Sequence, residues 1–99
     1  MYNEYMAQHS LVPISNSTPV RLTPVGTHSG MDITIQNVNS SGYIYLGVDS
    51  TVSSSNYGFR ILPNHSISFE LQEKDAFFAI ASASDMNAAV IKISLETQH

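Results

Sequence analysis

The sequence contains no cysteine among its 99 residues, so neither disulfide bonds nor thiolate metal ligands can hold the fold together. This absence fits synthesis in a reducing cytoplasm. A chain of this length forms one domain, which buries about 60–70% of the surface that its unfolded form exposes. Because 42% of the residues are hydrophobic, a core can form without covalent or metal support.

Charge is also scarce. Asp, Glu, Lys and Arg make up 12% of the residues, against about 25% in an ordinary soluble domain. Ser, Thr, Asn and Gln occupy the polar positions instead, and their uncharged groups lose less hydration than ions when they are buried. The composition therefore suits either a surface made for lasting protein–protein contact or simply a soluble β-protein rich in Ser and Asn.

The four basic residues Arg21, Arg60, Lys74 and Lys92 are scattered, and the net charge is −4. Nucleic-acid binding needs a basic stripe that releases counterions from the phosphates, so we expect no nucleic-acid partner. No stretch approaches the roughly 18 apolar residues of a membrane span, so we expect no membrane partner. Residues 1–15 have no basic residue and no apolar run, which argues against a secretion signal.

Motifs for catalysis are missing from the sequence. It has no G-x-S-x-G elbow, and its serines cluster in turn segments, where hydroxyls cap backbone groups. The histidines His9, His28, His65 and His99 lie in four separate segments, without a metal-binding spacing such as H-x-H. A cation bridging symmetry-related subunits stays open, since one histidine repeated around an axis makes a cluster. We expect a protein that is not an enzyme and has no cofactor.

The middle of the chain has the period-2 pattern of half-buried strands. Met31, Ile33 and Ile35 alternate with polar residues, and residues 42–48 and 66–71 alternate in the same way. On the last of these we expect three residues to face the core. They are Ile67, Phe69 and Leu71.

The other segments complete the pattern. Residues 39–42 have the length and composition of a hairpin connection between adjacent strands, and residues 49–56 read as a surface loop with Val52 as their one apolar residue. Residues 76–83 are nearly all apolar, which indicates burial on both faces, between two sheets or against a partner. Residues 88–95 form the clearest amphipathic strand, with Ala89, Ile91, Ile93 and Leu95 on its apolar face.

About seven short strands at 8–12-residue spacing, with no convincing helix, predict an all-β fold. We expect a single antiparallel β-sandwich, either jelly-roll-like or immunoglobulin-like. The predicted boundaries place an extended N-terminal arm at residues 1–17, the sandwich at residues 18–95 and a polar tail at residues 96–99.

The predicted arm follows no steady period, and Pro13 argues against a helix running through it. Two interpretations are open: a disordered tail, or an extended arm that orders on a neighbouring subunit. We favour the arm, because disordered tails usually lack large apolar residues. The residues expected to anchor it are Tyr2, Tyr5, Met6, Leu11 and Ile14.

Three tyrosines are candidates for surface or ligand contact. Tyr43 and Tyr45 share one face of the alternating segment 42–48, and Tyr57 follows the loop. Exposed tyrosine is enriched in binding surfaces, but tyrosine is also common in strands for reasons of propensity. A carbohydrate-binding role would use this face by stacking a sugar on the rings.

Four motifs follow one another in the central stretch: Ile35-Gln36-Asn37, Tyr45-Leu46-Gly47, Asn56-Tyr57-Gly58 and Leu62-Pro63-Asn64-His65-Ser66. With residues 76–83 and 90–93 they resemble a small β-sandwich module common in virion proteins of tailed bacteriophages, over about residues 31–95. The module usually has glycine after the proline, where this chain has Asn64. Asparagine tolerates a left-handed backbone better than most residues, so we expect the turn to persist.

The resemblance implies a structural part of a virion, assembled in the host cytoplasm. The specific expectation is a capsid decoration (cement) protein that binds the major capsid protein, or another virion protein, and ties neighbouring capsomers together. A homotrimer at a local three-fold axis is implied by the resemblance alone. The alternatives are a head-fibre, neck or tail component and, outside structural roles, a carbohydrate- or receptor-binding module that uses residues 49–56 and the tyrosines.

Overall fold

A computed structural model of the chain describes residues 2–23, 30–72 and 75–98, with the side chains of residues 7–23, 30–72 and 75–93. The described residues form eight β-strands and no helix, arranged as two four-stranded antiparallel sheets. The predicted all-β sandwich is therefore confirmed. Within the described part of the chain, no helix is long and apolar enough to cross a membrane.

The strand order identifies the sandwich type. Sheet A contains, in order, β1 (Tyr2–Ile14), β8 (Met86–Gln98), β3 (Met31–Asn37) and β6 (Ser66–Leu71). Sheet B contains β2 (Val20–Arg21), β7 (Phe78–Ala81), β4 (Ile44–Gly47) and β5 (Phe59–Ile61). The pairs β1–β8, β2–β7, β3–β6 and β4–β5 make the chain one antiparallel ribbon wrapped into two layers. This is the jelly-roll arrangement and not the immunoglobulin one.

The core lies between the sheets, where the predicted alternation places it. Ile33 and Ile35 of β3 are fully buried from sheet A, and Ile44 and Leu46 of β4 meet them from sheet B. Burying a side chain of this size stabilises a fold by about 1.5–3 kcal/mol. On β6 the inward-facing residues are, as predicted, Ile67, Phe69 and Leu71.

The segment predicted as an arm belongs to the sandwich. β1 pairs with β8 along its whole length, from Tyr2 opposite Gln98 to Ile14 opposite Met86. Ile14 is buried in the chain's own core, so it does not anchor an arm on a neighbour as predicted. The predicted polar tail is likewise part of β8 as far as Gln98.

Several predicted positions fall where less is described. The backbone of the N-terminal anchors lies in β1, but their side chains lie outside the described ones: Tyr2, Tyr5 and Met6. Met1, His28 and His99 lie outside the described residues altogether. Of the predicted anchors whose side chains are described, Leu11 is the exposed one, with 63% of its surface accessible.

The hairpin predicted at residues 39–42 is wrong, because β3 and β4 lie in opposite sheets. The fully buried side chain of Asn37 redirects the chain there. Its Nδ2 donates hydrogen bonds to the carbonyls of Gly42 at 3.1 Å and Ile61 at 3.0 Å, and its Oδ1 accepts one from the backbone N–H of Asn39. Gly42 has a φ of 87°, a left-handed conformation that favours glycine. The short segment therefore crosses between the layers.

The backbone of Asn37 is also tied to the turn after β5. The Asn37 N–H donates to the carbonyl of His65 at 2.9 Å, and the Asn64 N–H donates to the Asn37 carbonyl at 2.8 Å. Asn64 has a φ of 61°, so the prediction that asparagine supports a left-handed turn after Pro63 is confirmed.

Replacing Asn37 by alanine is expected to lower the free energy of unfolding by about 2–4 kcal/mol, because buried polar groups left without partners cost about 1–3 kcal/mol each. Urea denaturation of the purified protein measures this. Its neighbour Gln36 on the exposed face of β3 is the matched control, and Gln36→Ala should change stability by less than about 0.5 kcal/mol. Equal losses for the two variants would show that Asn37 is an ordinary strand residue.

Candidate functional site

The outer face of sheet A has an apolar half and a polar half. Among the described side chains of β1 and β8, five apolar ones point outward and adjoin one another: Ala7, Leu11, Ala89, Ile91 and Ile93, hereafter the apolar stripe. His9, opposite Ile91, is the polar residue within it. On β3 and β6 the outward residues are Asp32, Thr34, Gln36, Ser66, Ser68 and Glu70. The boundary between the halves runs between β8 and β3.

The larger apolar side chains of β8 point away from the core, which is the reverse of the usual arrangement in an amphipathic strand. Ile91 and Ile93, on the apolar face predicted for residues 88–95, are 44% and 39% exposed. The core side of β8 is taken instead by the buried Ala88 and Val90. Two large β-branched side chains on β8 thus face outward, beside Leu11 on β1, where nothing in the described chain covers them.

β1 is also an edge strand with little protection. Its ladder with β8 runs through 13 residues without a bulge, and no described strand pairs with its other edge. Proteins usually guard such an edge with lysines, prolines or bulges. Here the described side chains of β1 include no lysine, and Pro13 stands next to the last residue. The backbone N–H and C=O groups of this edge can pair with another chain.

The predicted tyrosines come together on the outer face of sheet B. The ring centroids of Tyr43 and Tyr45 are 6.4 Å apart, and those of Tyr45 and Tyr57 are 4.8 Å apart. The guanidinium carbon of Arg60 lies 4.7 Å from the Tyr43 ring centroid, a cation–π contact. Tyr45 is buried at 8% exposure, whereas Tyr57 is 42% exposed. Tyr45 is therefore the buried ring that contacts both of the others, and Tyr43 and Tyr57 are the rings exposed to solvent.

The predicted surface loop folds back over sheet B. Val52, its one apolar residue, is buried against Tyr45 and Ile80. Val52 can lie this close to the end of β4 because residue 47 is glycine: a Cβ atom on Gly47 would lie only 2.7 Å from the Cβ of Val52. On the second buried face predicted for residues 76–83, Ile80 is thus covered by the chain's own loop.

Side chains inside the loop hold its shape. Asp49 Oδ1 accepts hydrogen bonds from the backbone N–H of Thr51 at 2.9 Å and from the Thr51 hydroxyl. Asn56 Nδ2 donates to the Thr51 carbonyl at 3.1 Å, and Ser53 and Asn56 exchange two backbone hydrogen bonds. These bonds restrict the conformations open to the loop, which would lower the entropy cost of ordering it in a complex.

A groove of about 450 Å³ opens beneath this loop. Its polar side is formed by Asp49, Thr51 and Asn56, and its aromatic side by Tyr57, Phe59 and Phe77; we name it the aromatic groove. Phe69 joins the aromatic side from β6, with its ring centroid 4.7 Å from that of Phe77. Of the three predicted tyrosines only Tyr57 lines the groove.

Sequence reasoning missed the phenylalanines of the groove. They come from three separated segments. Phe59 and Phe69 meet because β5 and β6 are the corresponding edges of the two sheets, and Phe77 joins them from the residue before β7. The one available signal was Phe59 directly after the Asn56-Tyr57-Gly58 motif, at the end of a polar loop.

The described residues contain no group of three or more His, Cys, Asp or Glu side chains that could hold a metal ion. The chain matches no protein-family model, and a search of curated proteins found no match to it. Two surfaces of the described chain are suited to binding: the apolar stripe with the β1 edge, and the aromatic groove.

Replacing Gly47 by alanine is expected to lower the free energy of unfolding by about 1–3 kcal/mol, because the new methyl group overlaps the branched Cβ of Val52. Amide hydrogen exchange should also quicken at Ser53, whose N–H bonds inside the loop. Gly58→Ala is the control, since a Cβ there meets only the Leu46 carbonyl oxygen at 3.7 Å. Unchanged exchange in the Gly47 variant would mean that Val52 does not fix the loop.

The hydroxyl of Thr51 first, and its backbone N–H second, hold the pKa of Asp49 below its ordinary value of 3.8. The Thr51 bonds stabilise the ionised form of Asp49. Their contribution to the stability of the fold is therefore complete above the ordinary pKa and is lost as the pH falls through the lowered pKa of the folded protein. We expect the Thr51 amide resonance to titrate with a midpoint below 3.8 and the Asp49→Asn variant to lack that titration. A midpoint at or above the ordinary pKa would contradict this prediction.

Proposed function

We propose that this chain is a non-enzymatic structural protein of a tailed-bacteriophage virion, specifically a capsid decoration protein that binds the outer surface of the shell. The observation that supports it most is the apolar stripe beside the unguarded edge of β1. Isolated exposed apolar residues are ordinary, but a contiguous apolar patch marks an interaction surface. Leu11, Ile91 and Ile93 share such a patch.

The surface offers two kinds of contact at once. The stripe supplies apolar area, which contributes about 25 cal/mol for each Å² removed from water. The β1 edge supplies backbone hydrogen bonds of the kind formed when a strand of one protein extends the sheet of another. Few of the contacting side chains carry charge, so little ionic hydration is lost on binding.

The virion assignment draws on the resemblance over about residues 31–95. The jelly roll is compatible with it, since capsid proteins use this fold, but lectins and cupins use it too. In the proposed complex the stripe and the β1 edge contact the major capsid protein, and many copies tie capsomers together. A homotrimer is part of the proposal. A head-fibre, neck or tail component would use the same surface on another virion protein.

The test is co-sedimentation with capsids of a phage that encodes the protein, prepared from a strain in which its gene is deleted. The double variant Leu11→Ser/Ile91→Thr should lose at least about tenfold in affinity, because two apolar anchors are removed from the interface. Val38→Thr is the control, since Val38 is 40% exposed and lies outside the stripe. Wild-type protein that fails to bind capsids, or stripe variants that bind like wild type, would overturn the proposal.

Sedimentation of the free protein separates two uses of the stripe. If the double variant keeps its subunit number and loses capsid binding, the stripe faces the shell. If it loses its subunit number and keeps capsid binding, the stripe joins copies of the chain and the proposed shell contact is wrong. Deleting residues 1–17 would be a poor test, because it removes β1 and the core residue Ile14.

A further inference from the structure

The geometry points to a second binding site: we propose that the aromatic groove binds a neutral saccharide unit. The inference depends on the groove alone and holds whether or not the chain decorates a capsid. Its volume of about 450 Å³ is within the range of about 300–1,000 Å³ typical of small-molecule sites.

The aromatic side of the groove provides flat apolar surface that water can reach. Tyr57 and Phe59 are 42% and 40% exposed, although tyrosine and phenylalanine rings of a small domain are usually well buried. Phe69 supports Phe59 from behind, with the two ring centroids 6.4 Å apart in an edge-on arrangement. A sugar ring has an apolar face made of its C–H groups, which can lie against such rings.

The polar side of the groove presents acceptors. The loop's own hydrogen bonds use Oδ1 of Asp49 and Nδ2 of Asn56. They leave Oδ2 of Asp49 and Oδ1 of Asn56 for a ligand. The amide oxygen is always an acceptor, and the carboxylate oxygen is an acceptor whenever Asp49 is ionised. The matching ligand carries several hydroxyl donors on an otherwise uncharged ring, which is the chemistry of a neutral sugar.

The charges around the groove also bear on which ligand it can bind. Among the residues that the structure describes, no basic one lines the groove, and the nearby Arg60 is stacked on Tyr43. Asp49 is ionised at neutral pH, since even its ordinary pKa of 3.8 lies far below 7 and the Thr51 bonds lower it further. A phosphate or an acidic sugar would meet this carboxylate without a compensating cation from the described lining, so an uncharged ligand is favoured.

The groove and the apolar stripe are formed by different strands. The stripe lies on β1 and β8, whereas the groove takes Phe69 from β6, at the opposite edge of sheet A, and the rest of its lining from sheet B and its loops. A ligand in the groove therefore leaves the stripe free for another contact.

Titration of the full ¹⁵N-labelled chain by NMR tests the proposal, with glucose, galactose and N-acetylglucosamine as probes at millimolar concentration. We expect saturable shifts at the amides of residues 56–59 with at least one sugar. Tyr57→Ala should weaken that binding by about tenfold, the value of one aromatic stacking contact. Tyr43→Ala is the matched control, since it also removes a ring that contacts Tyr45 but lies outside the groove.

Tetramethylammonium and N-acetylneuraminate complete the set of probes. In the Asp49→Asn variant the one amide oxygen keeps the Thr51 bonds, and the NH2 group stands where Oδ2 faced the ligand. Because a sugar hydroxyl can accept as well as donate a hydrogen bond, binding of a neutral sugar should persist, whereas binding of a cation would be abolished. Preferential binding of tetramethylammonium, preferential binding of the acidic sugar, shifts away from residues 56–59, or no saturable shift with any neutral sugar would each overturn the proposal.

Discussion

The hydrogen bonds of the buried Asn37 side chain join segments that the strand ladders leave apart. Its amide holds the start of β4 through Gly42 and the end of β5 through Ile61, and its carbonyl oxygen holds Asn39. Asn39 in turn donates to the carbonyl of Asn87 in β8 at 2.8 Å. A fully satisfied polar network of this kind rigidifies a core, whereas a partly satisfied one is costly. One residue thus sets where the chain passes from sheet A to sheet B.

The aromatic groove depends on that crossing. Because β4 lies in sheet B next to β5 and β7, its Tyr45 points outward and forms the platform on which Val52 packs. The loop of residues 49–56 then packs against β4 at Gly47, and its side chains Asp49 and Asn56 form hydrogen bonds with Thr51. Had residues 39–42 formed the predicted hairpin, β4 would have extended sheet A and the loop would have had no such platform. The site is therefore a consequence of topology as much as of its lining residues.

Local patterns predicted the elements well and their partners poorly. The alternation in β3 and β6, the left-handed Asn64 and the all-β class follow from short-range preferences visible in the sequence. Strand pairing between distant segments has no comparable signal, so the residues of β1 resemble an arm in the sequence. The sequence also does not predict that Ile91 faces outward, because a period-2 pattern separates the two faces of a strand without indicating which one meets the core.

The polar half of sheet A limits how the apolar half can be used. Asp32 and Glu70 stand directly opposite each other on β3 and β6, an arrangement of like charges that does not stabilise the sheet. Both are exposed, and Asp32 adjoins Ile93 across the β8–β3 ladder. A partner that covered this half would have to supply a cation to each carboxylate or bear the cost of removing water from it. In the proposed complex the pair therefore disfavours contact through the polar half of sheet A and leaves the apolar stripe and the β1 edge as the side that faces the capsid.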